Sequence, residues 1–292
     1  MTKVCHYYVT LRCNATCEFC GCWREAETQE HNEAPWPEVY PKLKEIRIKG
    51  CKELNITGGE PLLRDDLPEI LNGAKQLGFK ITLTTNGLLY AEKGEKLKGL
   101  VDSLYFSLDY PIDSEHDRSR GLECFTDVIE AIKLARKLGE KPRIIFTITR
   151  DSLRFLPEMV DLAEKLDVLL YLNPVYDFFG TQGFEPISVE HIKYYSGKKN
   201  VLGDLAALEF IKAGGNRVLY PRCRAKEQTV TLLPDGASVA PCFYNRGGRE
   251  GKEAVCSSCM RWPYMLPSFS LGVDKYFWLN LYSDWLKGRK IS

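Results

Sequence analysis

The 292-residue sequence contains no run approaching the ~18 consecutive apolar residues of a membrane span. Its first residues, Met1-Thr2-Lys3-Val4-Cys5-His6, lack the apolar stretch and small-residue cleavage site of a secretory signal. Both absences predict a cytoplasmic protein whose thiols stay reduced. An excess of one charge is also missing. With 40 Lys+Arg against 39 Asp+Glu, the formal charge is +1, which gives no electrostatic footprint for nucleic acid. No internal repeat of fixed period is visible, which speaks against a solenoid. Apolar residues, by contrast, make up 44% of the chain, enough for a real core, and the length suits one large domain or two smaller ones.

Cysteine is plentiful. Eleven cysteines, an odd number in a long chain with reduced thiols, argue against a disulfide framework and for metal or cluster ligation. Cys13, Cys17 and Cys20 form a C-x3-C-x2-C run, with Cys22 just beyond it. Cys223, Cys242, Cys256 and Cys259 form a later group, and Cys5, Cys51 and Cys124 stand apart. A short loop can wrap three thiolates onto one face of a cubane cluster, leaving the fourth iron without a protein ligand. That suits a catalytic [4Fe–4S] centre. Structural zinc prefers four closed ligands, and Cys22 would then be the fourth. Spacing alone leaves both readings open.

Strand-like runs recur at 4–10, 53–57, 79–85, 102–108, 142–149 and 168–173. Helix-like stretches separate them: Pro37 to Lys49, Asp66 to Leu77, Tyr90 to Lys98, Cys124 to Leu138 and Phe155 to Leu166. This alternation predicts a parallel sheet, since each return to a parallel strand needs a crossover. Past residue 175 the pattern changes. Residues 176–187 read as a loop over the mouth of the barrel and 188–213 as one or two helices. Thr229 to Ala240 reads as a hairpin with an Asp-Gly turn, and 274–287 as an aromatic helix.

Strand ends carry the polar motifs. Gly58-Gly59-Glu60-Pro61, Thr85-Asn86-Gly87 and Ser107-Leu108-Asp109 each close a strand-like run, and His116-Asp117 and Arg120-Gly121 follow. With the C-x3-C-x2-C loop in front of them, these residues resemble the radical S-adenosylmethionine (radical SAM) superfamily over about residues 4–175. The resemblance implies an α/β fold: a partial (β/α)6 TIM-like barrel with its site at the C-terminal ends of the strands. It implies that Cys13, Cys17 and Cys20 hold a catalytic [4Fe–4S] cluster. The open iron would bind S-adenosylmethionine (SAM), and reductive cleavage would release a 5′-deoxyadenosyl radical.

Gly58 and Gly59 would then let backbone approach the ligand, and Glu60 would accept from the methionine ammonium. Phe19 would lie against adenine. Asn86, Ser107 and Asp109 suit the ribose hydroxyls, Arg150 the methionine carboxylate and Asn173 the adenine edge. Each has a plainer reading as a strand-end turn or cap, and His116 and Asp117 are expected to be structural.

The hairpin followed by Cys256-Ser257-Ser258-Cys259 resembles the SPASM/twitch extension of the same superfamily. That implies a domain division at 1–215 and 216–292. The C-terminal part would be a small hairpin and cysteine-rich extension with a terminal helix, its second [4Fe–4S] cluster held by Cys223, Cys242, Cys256 and Cys259. A zinc ribbon is the alternative. The GTP-cyclising branch has three thiols there, so four speak against it; an electron-transfer role suits oxidation or rearrangement. The expected partners are a small-molecule, peptide or lipid substrate and a low-potential donor such as ferredoxin or flavodoxin. Peptide modification is less expected, because the chain begins at the first barrel strand. An adenosyl transferase acting on a lipid or alkene is a second reading, and a non-catalytic zinc or cluster scaffold a third. The terminal helix is expected to pack Phe277, Leu281 and Trp285 on the barrel rather than lie on a membrane. Cys22 is expected to be a bystander.

Overall fold

The computed structural model describes residues 3–24, 32–175, 186–219, 223–239 and 259–291. Six strands alternate with helices as the sequence predicts. They are β1 (Lys3–Thr10), β2 (Cys51–Gly58), β3 (Lys80–Thr85), β4 (Ser103–Ser107), β5 (Pro142–Ile148) and β6 (Leu169–Pro174). The crossover helices are α1 (Trp36–Ile48), α2 (Leu67–Gln76), α3 (Tyr90–Leu97), α4 (Asp113–Arg120), α5 (Phe125–Lys137) and α6 (Leu156–Lys165). Then come α7 (Pro186–Ser196), the two-residue β7 (Val201–Leu202) and α8 (Leu205–Lys212). The chain ends with α9 (Ala225–Gln228), β8 (Thr229–Leu232), β9 (Ser238–Val239), α10 (Trp262–Met265) and α11 (Lys275–Ile291).

The sheet order is β7-β6-β5-β4-β3-β2-β1-β8-β9, and every pairing is parallel except β8–β9. It is an open, barrel-like sheet. One face of each strand packs under the helices, burying Leu54, Ile56, Ile81, Leu83, Phe106, Ile144, Phe146 and Leu170. The other face lines a lumen.

The C-terminal hairpin does not stand off from this sheet. Its strand β8 pairs parallel with β1, from Val4 opposite Thr229 to Tyr7 opposite Leu232. The Asp-Gly turn forms as expected, with Gly236 at φ +78° and Leu233 N–H bonded to Ala237 C=O at 2.9 Å. Cys242, Cys256 and the 176–185 segment of the mouth loop lie outside the described residues. Cys223 is exposed and Cys259 half-buried, and no disulfide joins any two described cysteines.

Helix α11 is turned the other way from its expected packing. Leu281 and Trp285 are 46% and 52% exposed, and Trp278 is 60% exposed. Its inward face carries Tyr276 and Leu279 on the core at its start and polar residues further along. Ser283 Oγ accepts from Leu205 N–H, Lys287 pairs with Asp204, and Lys290 donates to the carbonyls of Ser196 and Val201. The ends of α7 and β7 leave carbonyls that need donors, and the lysines supply them. Trp278→Gln should therefore change stability by less than ~0.5 kcal/mol in urea denaturation, as an exposed position does. Among the described residues no helix is long and apolar enough to cross a membrane.

Candidate active site

The cysteine loop follows β1 and is gripped from two sides. On one side, Thr16 N–H and Glu18 N–H donate to the carbonyls of Arg120 and Ser119, both at 3.0 Å. These are carbonyls of the last turn of α4, which a helix end leaves unpaired. On the other, Gly59 N–H donates to Thr10 C=O and Glu60 N–H to Arg12 C=O, both at 2.8 Å. The glycine pair makes that second grip possible. A Cβ on Gly58 would sit 2.1 Å from the Thr10 carbonyl oxygen, and one on Gly59 would sit 2.0 Å from that of Arg12. So Gly58, at φ +137°, and Gly59 allow close approach to the loop's own backbone, whereas the sequence suggested an approach to ligand. Gly59→Ala should cost about 1–3 kcal/mol through overpacking, seen as a lower urea midpoint, and should weaken iron retention.

A cavity of about 730 Å³ runs from this loop into the lumen. Of the predicted site residues, Cys13, Cys17, Cys20, Phe19, Gly58, Gly59, Glu60, Asn86, Ser107 and Asn173 line it. Asp109 and Arg150 do not. Arg150 is exposed in the turn just past β5. Asp109 is fully buried and ion-paired with Arg120, and its Oδ1 accepts from Thr147 N–H at 2.8 Å. It is Arg120 that reaches the cavity. Its Nη1 is 3.5 Å from Cys17 Sγ and its guanidinium lies 5.5 Å from the Phe19 ring centre.

Glu60 is 1% exposed and already occupied. One carboxylate oxygen accepts from Leu62 N–H at 3.0 Å and the Thr85 hydroxyl at 2.7 Å, and the other accepts from Asn86 N–H at 2.7 Å. Burial pushes its pKa up against these hydrogen bonds. Glu60 thus ties the ends of β2 and β3 together, with acceptor capacity left on Oε2. Asn86 bridges to the loop, donating from Nδ2 to Asn14 Oδ1 at 2.7 Å. Among the described residues, Asn173 makes a long contact from Nδ2 to Thr147 Oγ1, 3.5 Å.

The thiols differ among themselves. Burial pushes the Cys13 thiol up to about 12. It also raises Cys17, with Arg120 opposing. Cys20 is pushed down to about 6, led by a hydrogen bond from the Cys22 side chain. Cys22 itself is buried in a small apolar cluster with Tyr8, Leu11 and Leu233. Among the described residues no three His, Cys, Asp or Glu side chains gather tightly enough to hold one ion. A zinc site needs thiolates converging at about 2.3 Å on one point. A cubane takes each thiolate on a separate iron, and three spread thiols on a cavity wall beside a cation fit it.

His116 is buried; its Nδ1 accepts from Asp109 N–H at 3.2 Å. Asp117 Oδ1 accepts from Cys124 N–H and Phe125 N–H at the start of α5, both at 2.8 Å. Both residues are structural, as the sequence suggested. His6, on the cavity wall, and His116 are each pushed down to about 4, chiefly by burial. The unfolded chain takes up these protons near 6.5, whereas the folded protein resists until about 4. Stability should fall as pH drops through that window, by up to ~1.4 kcal/mol per pH unit for each histidine, in urea melts at about pH 7.5 and about pH 5.

Sequence reasoning missed much of the lumen. His6, Asn55, Thr82, Tyr105, Arg143 and Tyr171 line it, along with Trp262, Tyr264 and Lys287 from the C-terminal part. A signal was present. Buried parallel strands usually read as continuous apolar runs, so polar residues at every second position of β1 to β3 mark a wet inner face.

A parallel open barrel with a three-thiol loop and a polar lumen at its strand ends defines a cluster enzyme of the radical type. Residues 7–163 match the family model described as the radical SAM superfamily, and the chain belongs to that superfamily. Its members use a [4Fe–4S] cluster and SAM, and this chain is a radical SAM enzyme. The chain is 31% identical over 273 residues to a protein of Methanopyrus kandleri named probable GTP 3′,8-cyclase, covering 90% of this chain and 83% of that one. A Saccharolobus solfataricus protein of the same name is 34% identical over 175 residues, and the match spans only 56% of its length. The fold also resembles Streptococcus suis SuiB bound to its precursor peptide SuiA, with TM-score 0.71 and 19% identity over 90% of this chain and 65% of that one. It likewise resembles anSMEcpe with bound AdoMet, with TM-score 0.62 and 16% identity over 97% and 84% of the two chains.

Proposed function

We propose that the chain takes a hydrogen atom from a small polar substrate held in the barrel lumen. The observation that carries this reading is one continuous cavity with the three-thiol loop at its rim and a hydrogen-bonding wall below. Cys13, Cys17 and Cys20 would hold the cluster, which would supply the electron for reductive cleavage of SAM. The protein's part is placement. Phe19 would lie against adenine, Ser107 and Asn173 would offer polar contacts to the nucleoside, and Glu60 Oε2 would accept from the methionine ammonium. Asp109 acts at one remove by holding Arg120. Arg150 has no role in this reading. Cys223, Cys242, Cys256 and Cys259 would hold a second cluster supplying electron transfer, and a ferredoxin or flavodoxin would reduce the first.

Anaerobic reconstitution with dithionite and SAM tests the reading: about eight irons per chain and 5′-deoxyadenosine release are expected. Zinc in their place, with SAM left intact, would sink it.

A second reading, GTP 3′,8-cyclisation, is favoured by the relationship to the Methanopyrus protein over 90% of the chain. The four thiols of the second site weigh against it. Adding GTP to the same assay decides: a cyclised nucleotide by mass spectrometry supports it, and unchanged GTP excludes it. An adenosyl adduct in place of free deoxyadenosine would point to transferase chemistry.

A further inference from the structure

Arg143 stands at the start of β5, on the lumen wall, and is 8% exposed. Its Nη1 donates to Ser103 Oγ and Tyr105 OH, both at 3.0 Å, and its guanidinium lies 5.4 Å from the Tyr105 ring centre. All of these partners are neutral. The other buried guanidiniums among the described residues have acids: Arg64 pairs with Asp66 at 2.7 Å and Arg120 with Asp109. Asp204, on the same cavity wall, is taken by Lys287 and by Tyr171 OH at 2.5 Å. A guanidinium carries five donors in a fork that matches carboxylate and phosphate oxygens. Left buried without an anion, it costs several kcal/mol. A cation kept at that cost on a cavity wall is what a binding site trades stability for.

We propose that Arg143 anchors an anionic group of the substrate, a carboxylate or a phosphate, deep in the barrel. Arg143 lies four residues before Thr147, or ~13 Å down the strand from the rim where the cysteine loop sits. Within the radical reading proposed above, the substrate lies along the barrel axis. Its anion is at Arg143 and its reacting C–H is near the rim. Neutral hydrocarbon substrates do not satisfy this site.

Isothermal titration of the anaerobic holoenzyme with pyrophosphate, succinate and GTP, at fixed ionic strength, tests the anchor. Saturable binding of at least one probe is expected, with affinity lowered at least tenfold in Arg143→Gln and less in Arg143→Lys. Binding of pyrophosphate or GTP alone identifies a phosphate, and binding of succinate alone identifies a carboxylate. Either supports the proposal. No saturable binding, or equal binding by Arg143→Gln, overturns it. Thermal melts give a second reading. Arg143→Met should melt higher than wild type and lose the stabilisation that the bound probe confers. A lower melting point would mean that the guanidinium only braces Ser103 and Tyr105, which also overturns the proposal. Wild-type SAM cleavage without substrate tests the radical reading separately, so either can fail alone.

Discussion

Alanine at Cys13, Cys17 or Cys20 should abolish SAM cleavage in the reconstituted enzyme and remove about four irons per chain. Each of these thiols faces the cavity, and the one other thiol of the loop, Cys22, is engaged with Cys20. Cys22→Ala should keep the iron and retain measurable cleavage, because Cys22 packs on Tyr8, Leu11 and Leu233 and donates to Cys20. Cys51→Ala should also keep its iron: Cys51 is buried at the start of β2 and its thiol bonds Lys3 C=O at 3.2 Å. Iron quantitation across the five variants separates ligands from bystanders. Loss of iron in Cys22→Ala together with zinc binding in wild type would restore the four-ligand zinc reading.

The largest stability effect is expected at Asp109. Asp109→Ala leaves the Arg120 charge buried without its acid, and breaking such a pair from one side costs about 3–5 kcal/mol. Thr147 N–H loses its acceptor at the same time. The double variant Asp109→Leu/Arg120→Met should recover a large part of that loss, because it removes both charges together. Urea denaturation of the three proteins measures this coupling. The double variant should also shift the EPR-monitored reduction potential of the loop cluster, since Arg120 contacts Cys17. If the single and double variants are equally unstable, the pair does not hold the two residues together.

Much of the fold was legible because strands and crossover helices write different periods into the sequence. β3, read as 79–85, is Lys80–Thr85, and the helix read from Cys124 to Leu138 is Phe125–Lys137. Helix α4 was not legible. Its Asp-Ser-Glu-His-Asp-Arg-Ser-Arg stretch carries no apolar stripe, and its last turn is held by the cysteine loop and by Gly121 at φ +76°. Arg150, read as the end of the fifth strand, does not line the cavity. It lies two residues past the end of β5, in an exposed turn, whereas Arg143, Ile145 and Thr147 within the strand face the lumen. Asp109 has the lumen parity of Tyr105 and Ser107 but is drawn to Arg120, a long-range pairing that a strand pattern does not encode. Helix α11 was misread because its aromatic spacing looked like a packing stripe. The unpaired carbonyls and the buried Asp204 beneath it select its lysines instead.

The double grip on the cysteine loop also predicts an order of assembly. Four backbone hydrogen bonds, from Thr16, Glu18, Gly59 and Glu60, hold the loop through protein alone. Zinc fingers, by contrast, fold only when metal arrives. Here the polypeptide can fold first and accept iron and sulfide afterwards, at a rim already shaped for them. Amide exchange of metal-free protein should show these four N–H groups protected. A chain starved of iron would accumulate as a folded, loadable pool rather than as material for proteolysis.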